Sequence, residues 1–414
     1  MRILYLSHRV PYPPNKGEKI RAYHHIRHMA RRHEVHLVSF VDQPEDEESA
    51  VALHDFCSQV VLVRLDERRA LVRGATALAA GKSLSEGYLG ARAMWRAVRH
   101  VVSRQSFDVA WAFSSAMAQY LPGIRAPLRI ADFADVDSEK WRQFSARSRG
   151  FMRWAYRLEA LRLRAFERRI SGCVDRVFFV SPREAALFRT FCPPTANVQS
   201  IPIGVDTSYY AAGPRPAMDG TVELLFTGSL DYRPNVEAVL FFARRVLPLI
   251  RRDVPGARFT AVGHRPGRRL LREARKHVGA LEIAGSVPDV RPYFRRAHIY
   301  VAPLHLGRGV QNKVLEAMAM RVPVVASPLA VAGIEACADT HAVVAETAEQ
   351  FAASVLSLLR DPEKGQRLTD AAFQLIVERY NWADNLRMID ACLGQQGSQV
   401  MPLPAGEACT ACSV

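Results

Sequence analysis

Short apolar runs rich in β-branched residues alternate with amphipathic helical stretches along most of this chain, and no other feature restricts the possible folds as much. In the first half these runs occupy residues 3–6, 35–40, 60–65, 109–112, 128–131 and 177–180. The pattern begins again after residue 205, with runs at 224–226, 259–262, 281–283, 299–301, 322–326 and 342–344. Strands that alternate with helices are typical of βαβ units, whose strands lie parallel. The sequence therefore predicts an α/β protein with two doubly wound sheets in tandem.

Helical patterns fill the intervals, at 19–32, 92–103, 147–169, 182–191, 235–252, 268–278, 290–296, 312–320, 348–359 and 362–380. The segments 201–206, IPIGVD, and 213–216, GPRP, separate the two halves as a linker would. A chain of 414 residues is long enough for two domains with separate cores. We therefore expect an N-terminal domain over 1–200, a C-terminal domain over 201–380 and a disordered tail over 396–414.

The chain has a net charge of +15 and a pI near 9.8, and its surplus arginines are spread along the sequence. This balance favours anionic partners such as nucleotides, nucleic acid or an anionic membrane face. No nucleic-acid motif accompanies the charge, so we expect no nucleic-acid partner. The seven cysteines show no disulfide framework, and neither a signal peptide nor a bilayer-spanning stretch is expected. We predict a cytoplasmic protein, in which the lone C-x-x-C of Cys409 and Cys412 is a weak metal signal.

The segment 307–327, GRGVQNKVLEAMAMRVPVVAS, is the strongest functional motif. Gly307 and Gly309 allow a ligand to approach the backbone, and the following helix N-terminus offers free N–H groups to a phosphate. Lys313 adds a positive charge, and Glu316 can accept hydrogen bonds from vicinal hydroxyls such as those of a ribose. These parts suit a nucleoside diphosphate. The alternative is an ordinary loop–helix–strand unit of an α/β domain.

Three further strand-end turns in the second half support the same interpretation. Gly228 and Ser229 can approach a phosphate, and Arg233 can pair with it. His264 lies in the turn after the next strand, and the backbone around Val287 can face a nucleobase edge. Each turn alone is unremarkable in an α/β protein. Four in one domain form a more specific pattern for ligand binding at the carboxyl ends of the strands.

The first loop, HRVPYPPNKGEKIR at 8–21, joins the first strand to the first helix. Its single glycine, Gly17, lies at the helix start, with Lys16, Lys19 and Arg21 as candidate charged contacts to a phosphate or acceptor. His8 is a candidate base or hydrogen-bond donor. The alternative is a proline-stiffened surface loop with a solvated histidine.

The segment 132–141, DFADVDSEKW, contains a possible metal-binding pair in Asp135 and Asp137. The favoured alternative is that Asp137 or Ser138 caps the helix that follows, so no metal site is predicted. Asp135 remains a candidate for contact with an acceptor in a cleft between the domains.

The segment 147–169 is the most basic in the chain and reads as an amphipathic helix. Its apolar stripe comprises Phe151, Trp154, Leu158, Leu161 and Ala165. Its basic stripe comprises Arg153, Arg157, Arg164 and Arg168. The favoured interpretation is a domain helix packed on the sheet with a solvated arginine face. Binding to an anionic membrane surface stays open.

These motifs together resemble the family 4 glycosyltransferases with the GT-B fold, over residues 1–394. The resemblance rests on the first loop with Gly17 and on the segments VSPREAALF (180–188), IPIGVD (201–206), LLFTGSLDYRPN (224–235), VGHRP (262–266), GSVPDV (285–290) and NKVLEAMAMRVPVVAS (312–327). The first loop and DVDSEKW look most similar to bacterial sugar transferases that accompany exopolysaccharide and PEP-CTERM export systems.

The resemblance implies two Rossmann-like domains that face each other across a cleft, with a nucleotide-sugar donor held mainly by the C-terminal one. It implies that a last helix, 381–395, returns to the N-terminal domain. It also implies retention of anomeric configuration without a metal or cofactor. By position, Glu316 would bind the donor ribose, Lys313 would face the diphosphate, and Gly17 would leave room for the phosphates.

Three positions depart from the family pattern. Arg308 stands where a glutamate is common, Ser229 and Pro234 replace an arginine and lysine pair, and Arg321 replaces a glycine. We hypothesise that Arg308, Lys313 and Arg233 supply the missing positive charge to the departing diphosphate.

The sequence thus predicts a glycosyltransferase that uses a nucleoside-diphosphate sugar and a glycan or lipid-linked acceptor, peripherally on the inner face of the plasma membrane. Asp135 and His8 are candidates for orienting the acceptor. Two alternatives remain open: a sugar-nucleotide epimerase of the same fold, and a non-catalytic nucleotide-sugar-binding partner.

Overall fold

The computed structural model describes residues 1–15, 17–214, 220–307 and 309–394, and within these ranges its strands form two parallel sheets. The first sheet has the order β3-β2-β1-β4-β5-β6-β7. Its strands are β1 (Arg2–Ser7), β2 (Glu34–Val41), β3 (Gln59–Arg64), β4 (Val109–Phe113), β5 (Leu128–Ala134), β6 (Arg176–Phe179) and β7 (Val198–Ser200). The second sheet has the order β10-β9-β8-β11-β12-β13. Its strands are β8 (Val222–Thr227), β9 (Ala257–Val262), β10 (Leu281–Gly285), β11 (Ile299–Ala302), β12 (Val324–Ala326) and β13 (Val343–Val344).

Helices cover both sheets. Those of the first half are α1 (Gly17–Met29), α2 (Pro44–Ser49), α3 (Glu67–Ala79), α4 (Leu84–Leu89), α5 (Arg92–Arg104), α6 (Asp137–Ala146), α7 (Gly150–Ser171) and α8 (Pro182–Arg189). Those of the second half are α9 (Arg233–Phe241), α10 (Leu247–Asp253), α11 (Arg268–Lys276), α12 (Arg291–Arg296), α13 (Asn312–Ala319), α14 (Pro328–Val331), α15 (Ala348–Arg360), α16 (Pro362–Arg379) and α17 (Trp382–Gly394).

The prediction of two doubly wound sheets is confirmed, because each predicted apolar run overlaps a strand of a parallel sheet. Central strands such as β1 and β4 are buried on both faces, which explains why their sequences are almost uniformly apolar. Strand order reverses at β1/β4 in the first sheet and at β8/β11 in the second. Ligands bind such sheets at the carboxyl edge beside this reversal. The sequence did not predict β7, which is only three residues long.

The last helix, α17, packs against α1 of the N-terminal half. Its Asp390 carboxylate lies 2.9 Å from His28 Nε2, and its Trp382 ring stacks on His24 at 4.2 Å. The linker passes directly beneath it: a Cβ atom on Gly204 would lie 2.4 Å from the Trp382 side chain. Only glycine fits this close approach. The helix predicted at 381–395 therefore returns to the N-terminal half, while residues 395–414 lie outside the described part of the chain.

The single helix predicted over 235–252 is divided in the structure. A π-helical segment, Phe242–Val246, separates α9 from α10. Pro248 lies in the first turn of α10 and has no N–H to donate to the preceding ladder. The hydrogen-bond register consequently shifts, as it does at π-bulges in general.

The face of α7 that packs on the domain is not its predicted apolar stripe. The buried positions are Glu159, Ala160, Leu163, Phe166, Glu167, Ile170 and Ser171. On the predicted stripe, Phe151 is 75% exposed, Trp154 59% and Leu161 60%. The expectation that this stripe is the packed one is wrong, because a second helical repeat through 163, 166 and 170 is buried instead. The helix thus presents arginines and large apolar side chains together to solvent.

Candidate functional site

Helix α13 places Lys313 beneath the glycine turn that follows β8. The Lys313 ammonium donates to Asn235 Oδ1 at 2.5 Å and lies 4.7 Å from the centre of the Phe226 ring. A Cβ atom on Gly228 would lie 2.8 Å from that ammonium, and Gly228 has a φ of +140°. Glycine is required there both for the backbone conformation and for the lysine to reach its position.

Burial lowers the pKa of Lys313 to about 7, although Glu316 opposes the shift. The ammonium has a neutral amide as its hydrogen-bond partner, so desolvation is only partly offset. A bound anion at this position would restore the charged form. Lys313 is therefore a buried cation whose hydrogen-bond partner is neutral.

Glu316 lies one turn further along α13 and is hydrogen-bonded to Tyr210, just beyond the linker. Burial raises the pKa of Glu316 to about 7, while the Tyr210 hydroxyl and Lys313 act to lower it. The two charged groups of α13 thus each contact a neutral side chain. Their charge and hydrogen-bonding capacity remain available to a ligand.

The N-termini of α1 and α13 face each other across the cleft between the two halves. A Cβ atom on Gly17 would lie 3.4 Å from Asn312 Nδ2. Within the described part of the chain, this buried amide nitrogen has no hydrogen-bond partner. Two positive helix ends and a buried donor meet at one point, which favours an anion there.

Asp135 and Gly309 touch across the same cleft. Gly309 has a φ of +73°, and a Cβ atom there would lie 2.3 Å from Asp135 Oδ1. The N-terminal carboxylate consequently lies against the loop that precedes α13. Arg308, the neighbouring candidate, lies outside the described residues.

The start of α6 is held by α7 and not by its own side chains. Glu167 accepts hydrogen bonds from the Ser138 amide at 3.1 Å and the Ser138 hydroxyl at 2.5 Å. Burial raises the pKa of Glu167 to about 8. The predicted capping by Asp137 or Ser138 is therefore wrong, since Asp137 instead accepts from the Ser115 hydroxyl at 2.6 Å.

His8 lies directly after β1, with its ring 5.6 Å from Phe113. Burial lowers the pKa of His8 below its ordinary value, so the imidazole is neutral near pH 7. Its Nδ1 is buried without a hydrogen-bond partner among the described residues. The residue is thus a half-buried neutral imidazole at the cleft edge of the sheet, unlike the solvated histidine of the alternative interpretation.

The remaining predicted contacts are dispersed over the turns of the second sheet. The Ser229 carbonyl accepts from Asn235 at 2.9 Å, and His264 Nδ1 lies 3.0 Å from the Ser286 hydroxyl. Val287 is partly buried against the core. The Arg233 guanidinium is exposed and pairs with Glu237 at 2.7 Å, so its described ion pair is within its own helix.

The charged residues of the first loop have structural partners. Lys19 pairs with Asp46 at 2.7 Å in the interior. Arg21 is buried, pairs with Asp132 at 3.0 Å and donates to the Ile201 carbonyl at 2.6 Å. The expectation that Lys19 and Arg21 contact a ligand is therefore wrong, because carboxylates of the same domain already neutralise them. Lys16 lies outside the described residues.

Arg321 adopts the left-handed backbone conformation, with a φ of +54°. This is the position where the sequence departs from a glycine. A non-glycine residue is strained in this region. Its side chain pairs with Asp370 and lies 4.1 Å over the Phe373 ring, contacts that offset the strain.

Asn235, Tyr210 and Asn312 were missed by the sequence reasoning. Asn235 ends a recognised motif, and Asn312 begins another, but neither is charged. Tyr210 follows the linker and lies 106 residues before its partner. Asn235 and Asn312 lie inside segments that the sequence analysis quoted as motifs. No local sequence pattern indicates a role for Tyr210.

Comparison with known proteins agrees with this geometry. Residues 221–361 match the family model of the Glycosyl transferases group 1. The matched segment lies in the second half, which is called the group 1 domain below. The match covers about a third of the chain and includes β8, α13, Lys313 and Glu316.

Two curated relatives extend the similarity of the group 1 domain. Glycogen synthase from Mycobacterium tuberculosis is 30% identical over 200 residues, which cover 46% of this chain and 47% of that protein. The GDP-mannose-dependent alpha-(1-6)-phosphatidylinositol monomannoside mannosyltransferase of the same organism is 27% identical over 256 residues, covering 55% and 66% respectively. The chain thus spans about half to two thirds of the length of these relatives.

Among solved structures, Anabaena HepE in complex with UDP-glucose superposes with a TM-score of 0.68 at 12% identity. The match covers 95% of this chain and 99% of HepE. At this identity the likeness shows the fold alone. The protein has the GT-B fold, in which the group 1 domain faces the N-terminal domain.

Proposed function

We propose that the protein is a glycosyltransferase that moves a sugar from a nucleoside-diphosphate sugar to a glycan or lipid-linked acceptor in the synthesis of a cell-surface exopolysaccharide. The observation that carries the proposal is the pair Lys313 and Glu316 on α13, each held by a neutral partner beside two converging helix N-termini. HepE binds UDP-glucose, and the mycobacterial mannosyltransferase is GDP-mannose-dependent. Both precedents support a nucleotide-sugar donor for the group 1 domain.

In this proposal the diphosphate of the donor lies beside Gly17 and Asn312, next to Lys313. Negative charge grows on the departing diphosphate in the transition state, so preorganised N–H donors and an ammonium stabilise that state more than the ground state. Glu316 accepts hydrogen bonds from the ribose hydroxyls. Gly228, Ser229, Arg233, His264 and the backbone at Val287 complete the donor side, and Arg308 adds positive charge.

The acceptor binds from the N-terminal domain, residues 1–200. Asp135 touches the loop before α13 and His8 is neutral, so either can orient an acceptor hydroxyl or take its proton. The reaction retains anomeric configuration and uses no metal.

We also propose a peripheral location at the inner face of the plasma membrane, which the exposed face of α7 supports. Phe151, Trp154 and Leu161 are exposed beside solvated arginines, as in helices that lie on anionic bilayers. Along the described residues, no helix has the length and apolarity to cross a bilayer. Replacing Phe151 and Trp154 with serine should abolish co-sedimentation with phosphatidylglycerol vesicles. The same replacement at the exposed Val51 and Leu71 should not, and equal loss in both variants would contradict the docking role.

The donor proposal is tested by thermal denaturation in the presence of UDP, GDP and ADP. A ligand that binds the native state raises the melting temperature by mass action. We expect a shift with one nucleotide, lost in Glu316→Ala and kept in Glu363→Ala, a control at an exposed residue of the same domain. No shift with any nucleotide would overturn the donor site.

Analysis of the products formed from a nucleotide sugar distinguishes a glycosyltransferase from an epimerase and from a non-catalytic binding partner. A glycosyltransferase hydrolyses or transfers the sugar of its donor, and the released nucleotide accumulates. Conversion of the donor into a second nucleotide sugar would identify an epimerase. Nucleotide binding with neither product would identify a non-catalytic binding partner.

A further inference from the structure

A group of aromatic side chains next to the cleft is not used by the donor site. Trp141 of α6 packs against Tyr156 of α7 at 5.5 Å and against Phe144 at 5.9 Å between ring centres. All three side chains are half-buried, and Trp141 also packs against the hydrophobic core of the N-terminal domain. The cluster lies on the two helices that follow Asp135.

A lysine and several carboxylates adjoin this cluster. The Lys140 ammonium lies 6.0 Å from the Trp141 ring centre and 3.8 Å from Asp137. Burial acts to lower the pKa of Lys140, but Asp137, Tyr232, Asp135 and Glu18 outweigh it, so the ammonium stays charged. Lys140 and Asp137 therefore place a hydrogen-bond donor and an acceptor beside the aromatic cluster.

The group 1 domain contributes to the same place. Tyr232, the residue before α9, interacts electrostatically with Lys140, Asp135 and Glu18 across the cleft, and its side chain is 43% exposed. Arg233 interacts likewise with Tyr156. Tyr232 and Arg233 belong to the group 1 domain, so residues of both domains adjoin the cluster.

We propose that Trp141, Tyr156, Lys140 and Tyr232 form a binding subsite for a neutral saccharide ring of the acceptor, assembled from both domains. A sugar ring has an apolar C–H face that packs on an aromatic side chain and a rim of hydroxyl groups. Carboxylates accept hydrogen bonds from those hydroxyls, and an ammonium donates to their oxygens. The subsite adjoins Asp135, which touches the loop before α13, so a ring held there lies next to the donor.

The inference rests on the proposed glycosyltransferase function and adds one consequence. Since the proposed subsite draws on both domains, a bound nucleotide that holds the domains together strengthens saccharide binding. The coupling is reciprocal, so a saccharide also strengthens nucleotide binding.

The test is saturation-transfer NMR with methyl α- and β-glucoside, galactoside and mannoside, maltose and cellobiose. Each sugar is added with and without the nucleotide that stabilises the protein. We expect a saccharide signal that grows with nucleotide and falls about fivefold or more in Trp141→Ala and Tyr232→Ala. Trp141→Phe keeps an aromatic face and should retain it. Arg142→Ala, an exposed neighbour on α6, is the matched control and should match wild type.

The outcomes are distinguishable from those of the donor proposal. Equal saccharide signals in wild type and Trp141→Ala, or no signal from any sugar while the nucleotide still stabilises the protein, would overturn the subsite. Saccharide signals that require Trp141 without any nucleotide effect would keep the subsite and contradict the donor site. Absence of both would overturn both.

Discussion

Two helices of this protein begin at the carboxyl edge of a sheet and carry a buried cation, yet the hydrogen-bond partners of the two cations differ in charge. In α1, Arg21 is enclosed by the Asp132 carboxylate and the Ile201 carbonyl. In α13, Lys313 donates to the neutral Asn235 amide, lies over an aromatic ring and has the Glu316 carboxyl one turn away. The first charge is paired directly with a carboxylate, whereas the direct hydrogen-bond partner of the second is neutral, which supports the proposal that Lys313 binds a ligand. Partner chemistry, more than position in the fold, separates a structural cation from a binding one.

The largest expected effect is on the structural cation. Arg21→Ala leaves Asp132 buried without its charge partner, and such losses cost about 3–5 kcal/mol of folding stability. Urea denaturation measures it. The exposed pair of Arg64 and Glu47 is the matched control, and Arg64→Ala should leave the denaturation midpoint unchanged. A small change in the urea denaturation midpoint of Arg21→Ala would contradict the structural role assigned to Arg21 and so the contrast between α1 and α13.

The second effect concerns the ligand-facing cation. Lys313→Ala removes a cation that stabilises the departing diphosphate, and we expect turnover to fall about 10²–10³-fold. Folding stability should hold or rise, because a partly satisfied buried ammonium is lost. Lys276→Ala, at an exposed lysine of the same domain, is the control. Wild-type turnover in Lys313→Ala would show that the charge is not used.

A third test measures the proton uptake that accompanies nucleotide binding. The pKa of Lys313 is about 7 in the free protein and should rise when an anion binds. Nucleotide binding should therefore take up a proton above pH 7, and affinity should weaken as pH increases further. Calorimetry in buffers of different ionisation enthalpy measures the uptake. Lys313→Arg stays charged throughout, so the proton uptake should vanish in that variant. Uptake that persists there would assign the proton to another group.

The smallest expected effect is at Tyr210. Its hydroxyl lowers the pKa of Glu316, so Tyr210→Phe should raise that pKa further above about 7. Glu316 would then be more protonated at neutral pH and a poorer acceptor for ribose hydroxyls, which weakens nucleotide binding about three- to tenfold. Titration calorimetry measures the change. Tyr209→Phe is the neighbouring control, since Tyr209 packs against Arg291, and an equal loss there would contradict the role of the hydroxyl.

Much of the fold was predictable because its signals are local. The patterns that predict strands and helices lie within short stretches of sequence. Each predicted apolar run overlaps a strand. Gly228, Gly309, Lys313 and Glu316 were predicted as donor-site residues because glycine turns before helices are typical of phosphate sites, and their role stays a prediction. The apolar stripe of α7 was assigned to the wrong face, since periodicity reveals that stripes exist but not which one the neighbouring elements cover.

Partnerships between distant residues depended on the tertiary structure. The sequence alone determined the α/β class, two parallel sheets, and a glycine-rich turn with a lysine and an acid on the following helix. It could not distinguish Arg21 from Lys313, because a side chain's electrostatic role depends on what lies beside it after folding. Asp132 is 111 residues from Arg21, and Asn235 is 78 residues from Lys313. Tertiary packing brought a carboxylate to one cation and an amide to the other, and this decided which charge remains available.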